Sequence, residues 1–258
     1  MQLKILSLIL GITVFATALV AQGPPIRLDK PIMLGSGEST ARALFSHFDT
    51  DHSNYSLLLL EADHNITRNW AVGIEVPWVF ASDFGNDRPG DLGIVLKHQF
   101  YQNDQMGKTT RISAKAKHAF PTGRDLKIPT AGMGHHKTYL GGLAAYESLS
   151  LGIQTEIGYY IVPSESAYNM LNYKLGVGIP LLEPSYPTNQ INIYIEAEGM
   201  NMESIEGNAQ YGYFIAPGLQ YARGKYTIEA SFQFPISQNM HHTYERNWNF
   251  LAGGRMVL

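Results

Sequence analysis

Two groups of residues in this chain could do chemistry: histidines gathered beside methionines, and acids and bases that share one face of the chain. Of nine histidines, two pairs lie close behind a methionine, in Met133-Gly134-His135-His136 and Met240-His241-His242. Imidazole with thioether suits copper, and imidazole alone suits zinc or nickel. His47, His52, His241 and His242 form the candidate metal set, because closure of the fold deduced below brings their loops together. The spacing is not that of a known site and no shell of supporting carboxylates is identifiable. Ordinary loop polarity is therefore the competing reading, and no cofactor is expected. The second group comprises Glu75, Glu156, Glu196, Glu198 and Glu229 with Lys97, Lys115, Lys117, Lys174 and Arg255. As a solute-binding lining, such a mixture gives a polarised passage whose transverse field orients a solute. As structure, it gives a salt-bridge network filling a narrow interior. Glu196 and Glu198 are close enough for an acid–base pair. With no second strand to position a substrate, they read as lining.

What must position these residues is a set of strands. From about Arg42 onward the chain alternates with period two, as a strand between two environments does. Ile191, Ile193, Ile195, Ala197 and Gly199 fall on one face; Gln190, Asn192, Tyr194, Glu196 and Glu198 fall on the other. Lys225–Phe234 and Leu151–Ile161 repeat the pattern. Twelve segments can be drawn, at 39–48, 55–64, 70–80, 90–101, 110–121, 137–147, 150–162, 169–180, 190–200, 210–222, 225–235 and 246–258. About ten residues each suits a tilted strand crossing a bilayer. Tight turns alternate with connections that are longer on average, and an even strand number leaves both ends on one side. On the apolar faces, Trp70, Phe100, Tyr221 and Tyr226 lie near the turn ends. Trp78, Phe80, Tyr211, Tyr213, Phe232, Phe234, Trp248 and Phe250 lie near the loop ends, giving two aromatic belts. The last residues still alternate, as a strand that closes on the first one must. The expected fold class is all-β: a transmembrane, antiparallel, up-and-down β-barrel of about 12 strands. The rival is a soluble β-sandwich, for which such long strands and unbroken hairpins are unusual.

Composition narrows the function. The chain has 258 residues, a formal charge of −3 and 16% charged residues, without the basic stripe that nucleic acid requires. With no cysteine, thiolate metal sites, thiol nucleophiles, disulfides and an N-terminal lipid anchor are excluded. Lys4 followed by the apolar run Ile5–Val20 and small residues around Ala18 and Ala21 reads as a cleavable secretory signal over residues 1–21. Residues 22–258 then form the barrel. A single membrane helix is the alternative; Pro24-Pro25 and the lack of a basic stop signal oppose it.

The central third resembles a family of outer-membrane transporters linked to meta-pathway phenol degradation. The likeness lies in Gly90-Asp91-Leu92-Gly93-Ile94-Val95-Leu96-Lys97, in His118-Ala119-Phe120-Pro121-Thr122-Gly123-Arg124, and in the lead-in Ile74-Glu75-Val76-Pro77-Trp78-Val79-Phe80. It covers about 50 residues. His98 stands where the family has an aromatic, and the chain ends on Leu258 rather than an aromatic. The resemblance implies a barrel porin or transporter for small compounds, hydrophobic or aromatic ones among them. A second likeness is slighter: His52-Ser53-Asn54 is similar to the motif of twelve-stranded outer-membrane phospholipases, without its intervening residue and following glycine. The expectation is thus a non-enzymatic channel in the cell outer membrane. Its partners are outer-membrane lipid, a small-molecule solute and the barrel-assembly machinery, with no nucleic acid. The alternatives are a metal- or haem-handling surface protein and a non-conducting structural barrel.

Overall fold

The computed structural model describes residues 25–51, 54–80, 87–123, 131–132, 134–163, 169–183, 185, 189–203, 210–240 and 244–258. Its strands are β1 (Ser39–Asp49), β2 (Asn54–Asn65), β3 (Trp70–Phe80), the two-residue β4 (Arg88–Pro89), β5 (Gly93–Gln105), β6 (Lys108–Ala119) and β7 (Lys137–Ser148). β8 (Gly152–Ile161), β9 (Met170–Pro180), β10 (Asn189–Met202), β11 (Gln210–Arg223), β12 (Tyr226–Asn239) and β13 (Trp248–Val257) follow. Apart from β4, every strand pairs antiparallel with its neighbours in sequence, and β1 pairs with both β2 and β13. The result is a closed, 12-stranded antiparallel barrel. Among the described residues, closure gives each long strand a hydrogen-bonded neighbour on both sides, as a wall in lipid requires.

Alternation decides which way each side chain points. On β10, Ile195 is 54% exposed while its neighbour Glu196 is 2% exposed. The same inversion runs round the wall. Ile193, Leu219, Ile228, Phe232 and Phe234 face outward and are exposed, whereas Asn192, Gln220, Gln233 and Asn249 face inward and are buried. A polar interior under an apolar exterior is the reverse of a soluble protein, and is the pattern of a barrel solvated by lipid. The belts have the geometry their position requires: Trp248 lies between Phe232 (5.4 Å) and the His47 ring (5.3 Å). At the turn end, His98 stacks on Trp70 at 4.2 Å, so the imidazole takes the place of an aromatic ring in the belt.

Two features depart from a plain barrel. Between β3 and β5 the register changes: Glu75 faces Gly93, but Trp78 faces Pro89. The extra residue makes a bulge at 90–92, and Asp91 is buried. The second feature precedes β1. Residues 25–38 do not stay outside the wall; Ile26 and Leu28 are buried at 0% and 3% exposure, and the segment lies across the lumen.

Candidate functional site: a chamber inside the barrel

The floor of the site is this pre-strand segment, held by charge-assisted hydrogen bonds from strands all round the wall. The Arg27 backbone N–H donates to Glu196 (3.0 Å), and its guanidinium donates to Ser231 Oγ (2.8 Å) and Asn249 Oδ1. Lys174 donates to the Arg27 carbonyl (3.2 Å), and Arg42 donates to that of Ile26. Asp29 lies between Lys97 and Lys115, at 3.0 Å from each ammonium, while its N–H donates to Glu156 (3.2 Å). Beyond it, Ser113 donates to the Pro31 carbonyl (2.7 Å). Two inward positions lack side chains where the segment passes. A Cβ at Gly218 would stand 2.5 Å from Ile26 Cδ1, and one at Gly176 would stand 3.3 Å from Leu28 Cδ1.

The roof uses the glycines of the central motifs. Asp91 donates from its N–H to the Ala131 carbonyl (2.7 Å) and accepts from the Gly123 N–H (3.1 Å). Leu92 donates to Thr122 Oγ1 (2.9 Å). The backbones meet so closely that a Cβ on Gly90 would lie 2.2 Å from the Ala131 oxygen, and one on Gly123 would lie 2.6 Å from the Gly90 carbonyl carbon. Glycine at both places is thus a packing requirement. The latch carries Ala131 into the barrel mouth, against Phe48, Tyr55, Leu57 and Val79. Across the mouth, Met170, Met200, Met202, Met240 and Phe214 form a second apolar cluster. Arg246 joins the two walls, its guanidinium over the rings of Phe214 (4.9 Å) and Phe48 (5.7 Å).

Between floor and roof lies a cavity of about 350 Å³. Of the charged residues selected from sequence, Glu75, Lys97, Lys115, Lys117, Glu156, Lys174 and Glu198 line it. Arg255 lines a smaller cavity of about 30 Å³ beside Leu28, Asp29 and Lys30. Glu196 is occupied with the floor, and Glu229 pairs with Arg42 (2.6 Å) and Arg255 (3.6 Å). Charges of opposite sign are interleaved. Lys117 pairs with Glu75; Lys115 reaches Glu156 at 3.5 Å and Lys97 reaches Asp63 at 3.4 Å. Glu198 lies 3.5 Å from Arg246 and 4.0 Å from Lys174. The lysines of β5 and β6 face carboxylates at close range, so the field across the chamber is broken into short dipoles. What remains is a container with two apolar walls near its mouth and a satisfied ionic base.

The sequence-selected list lacks Arg27, Asp29, Arg42, Glu61, Asp63 and Arg246. Arg42, Glu61 and Asp63 carry the alternation signal of inward residues; Arg27 and Asp29 precede any strand. Of the histidine set, His47 alone is among the described residues. His47 points outward, with Nδ1 at 3.0 Å from Ser56 Oγ, in the aromatic belt; His52, His241 and His242 lie outside the described residues. Among the described residues, no group of three or more metal-ligating side chains is present.

No protein-family model matches the chain, and no curated protein is similar to it in sequence. Solved structures are similar in shape. The COG4313 outer membrane channel from Pseudomonas putida F1 aligns over 91% of this chain and 100% of its own, with a TM-score of 0.66 and 12% identity. The NanC porin aligns over 85% and 99%, with a TM-score of 0.53 and 10% identity. The β-domain of the Bordetella autotransporter BrkA aligns over 86% and 100%, with a TM-score of 0.51 and 13% identity. The likeness is one of fold.

Proposed function

We propose that this protein is an outer-membrane channel that admits small amphipathic or hydrophobic molecules, aromatic ones among them, into an internal chamber. The single observation that carries this reading is the chamber of about 350 Å³ enclosed by a barrel whose outside is apolar. Two further points support it. The structures similar in fold include outer-membrane channels and porins, and the central motifs resemble those of a transporter family. Residues 1–21 act as the export signal, and the barrel-assembly machinery inserts the remainder. No reaction is assigned to the charged residues, because each lining carboxylate is engaged in ion pairs or hydrogen bonds that hold the interior together.

A non-conducting structural barrel is the second reading, favoured by the segment lying across the lumen. Liposome swelling with the purified protein separates the two. The channel reading expects solute flux that falls with solute size and rises when the floor is weakened. No flux from either the native chain or a floor-weakened variant refutes it. Recovery of the protein in the soluble periplasmic fraction refutes the membrane assignment.

A further inference from the structure

On the outer surface, at the barrel end that carries the longer loops, two histidines meet. His118, near the end of β6, and His136, just before β7, stand on either side of Thr122, Gly123 and Ala131, which contribute to the roof. His118 Nε2 lies 3.0 Å from His136 Nδ1, with ring centroids 5.2 Å apart. The other nitrogen of His118, Nδ1, lies 2.9 Å from Thr138 Oγ1. Phe120 packs edge-on against His118 at 4.6 Å, backing the pair on one side. His136 is exposed.

From this geometry we propose that His118 and His136 form a binding site for a divalent transition ion of the zinc, nickel or copper type. Metal–imidazole bonds are about 2.0–2.1 Å long. Two nitrogens sharing one ion at an angle between square and tetrahedral therefore stand about 2.9–3.4 Å apart. The observed separation falls in that span. In the tautomer whose Nδ1–H donates to Thr138 Oγ1, the Nε2 lone pair of His118 is available to coordinate; such an orienting hydrogen bond is the usual partner of a ligating histidine. Binding releases the proton that the two nitrogens share to solvent, and the ion lies to one side of the line that joins them. Exposure of His136 lets its ring turn toward the ion. With no third ligating side chain among the described residues, the remaining positions are filled by water.

Isothermal titration of the folded, tag-free protein with Zn²⁺ and Ni²⁺ tests this. One ion per chain is expected. His118→Ala and His136→Ala should each weaken binding by about tenfold or more, and Thr138→Val by a smaller factor. A double His241→Ala, His242→Ala variant should bind as the native chain does. Heat-modifiable migration on gels confirms that each variant remains a folded barrel. Native-like affinity in either single variant overturns the proposal, as does absence of binding by the native protein. Loss of binding in the double variant overturns it too. Because the readout is metal affinity, its failure leaves the channel reading untouched.

Discussion

Replacing Asp29 by Asn should loosen the floor of the chamber without disturbing the barrel wall. The carboxylate is the shared partner of Lys97 and Lys115, each at 3.0 Å. Asparagine keeps its shape and removes its charge. Stripping one member from a buried ion pair costs about 3–5 kcal/mol, chiefly because the other charge is stranded. Here each lysine retains a second carboxylate, Asp63 at 3.4 Å for Lys97 and Glu156 at 3.5 Å for Lys115. The loss is correspondingly smaller, about 2 kcal/mol. With tenfold per 1.4 kcal/mol, it raises the undocked population of the segment by about 30-fold. Single-channel recording in planar bilayers counts rare openings directly, so the expected result is a comparable rise in the frequency of large-conductance events. A control on the surface is Asp104→Asn, which breaks a pair with Arg111 (2.7 Å) at the β5–β6 turn; it should leave the record unchanged. Unaltered opening frequency in a properly folded Asp29→Asn barrel would refute the idea that this ionic contact holds the lumen shut.

Other perturbations test the remaining parts. Gly218→Val places a branched side chain where even a Cβ would come within 2.5 Å of Ile26; faster swelling of proteoliposomes is expected, from ejection of the segment rather than loss of an ion pair. Gly90→Ala forces a contact at 2.2 Å with the Ala131 carbonyl oxygen, and overpacking of this kind costs about 1–3 kcal/mol. A lower midpoint for the heat-induced gel shift checks it, and an unchanged midpoint would mean that the latch contributes nothing. Ile195→Arg puts a cation on the outward face near mid-strand and should cost about 2–4 kcal/mol in a bilayer, measured by denaturant unfolding from vesicles. A neutral outcome there would count against lipid as the solvent of that face.

The wall was legible because each strand meets two solvents, and β10 states this in its residues: Ile193 and Ile195 outward, Asn192 and Glu196 inward. Period-two patterning survives any error in register, so strand positions could be read one segment at a time. Arg42 and Asp63 carried the same signal and could have been chosen. Glu61 shares it, although the preceding run Leu57–Leu60 is apolar on both faces. The floor was illegible for a different reason. Arg27 meets Asn249 across 222 positions of sequence, and no local pattern in residues 25–38 announces such partners. The floor also carries a charge that the strands do not display. The lysines of β5 and β6 look unbalanced along the strands, and the acid that balances Lys97 and Lys115, Asp29, belongs to no strand. The roof was half visible: its motifs stood out, but the reason for glycine at 90 and 123 is a contact between two distant backbones.

The segment that crosses the lumen also bears on how the molecule is assembled. Its anchors come from β5, β6, β8, β9, β10, β12 and β13, so they converge on one place only after almost the entire sheet has curled round. A slip of two residues along any hairpin would keep the apolar and polar faces correct, yet would carry Glu196 or Lys115 away from the segment by nearly two strand rises, about 7 Å. Outward hydrophobicity cannot tell such a slipped barrel from the true one. The segment can, because its cohesion is granted to the properly registered ring and withheld from the others. Residues 25–38 thus serve as an internal gauge against which the finished circle is measured.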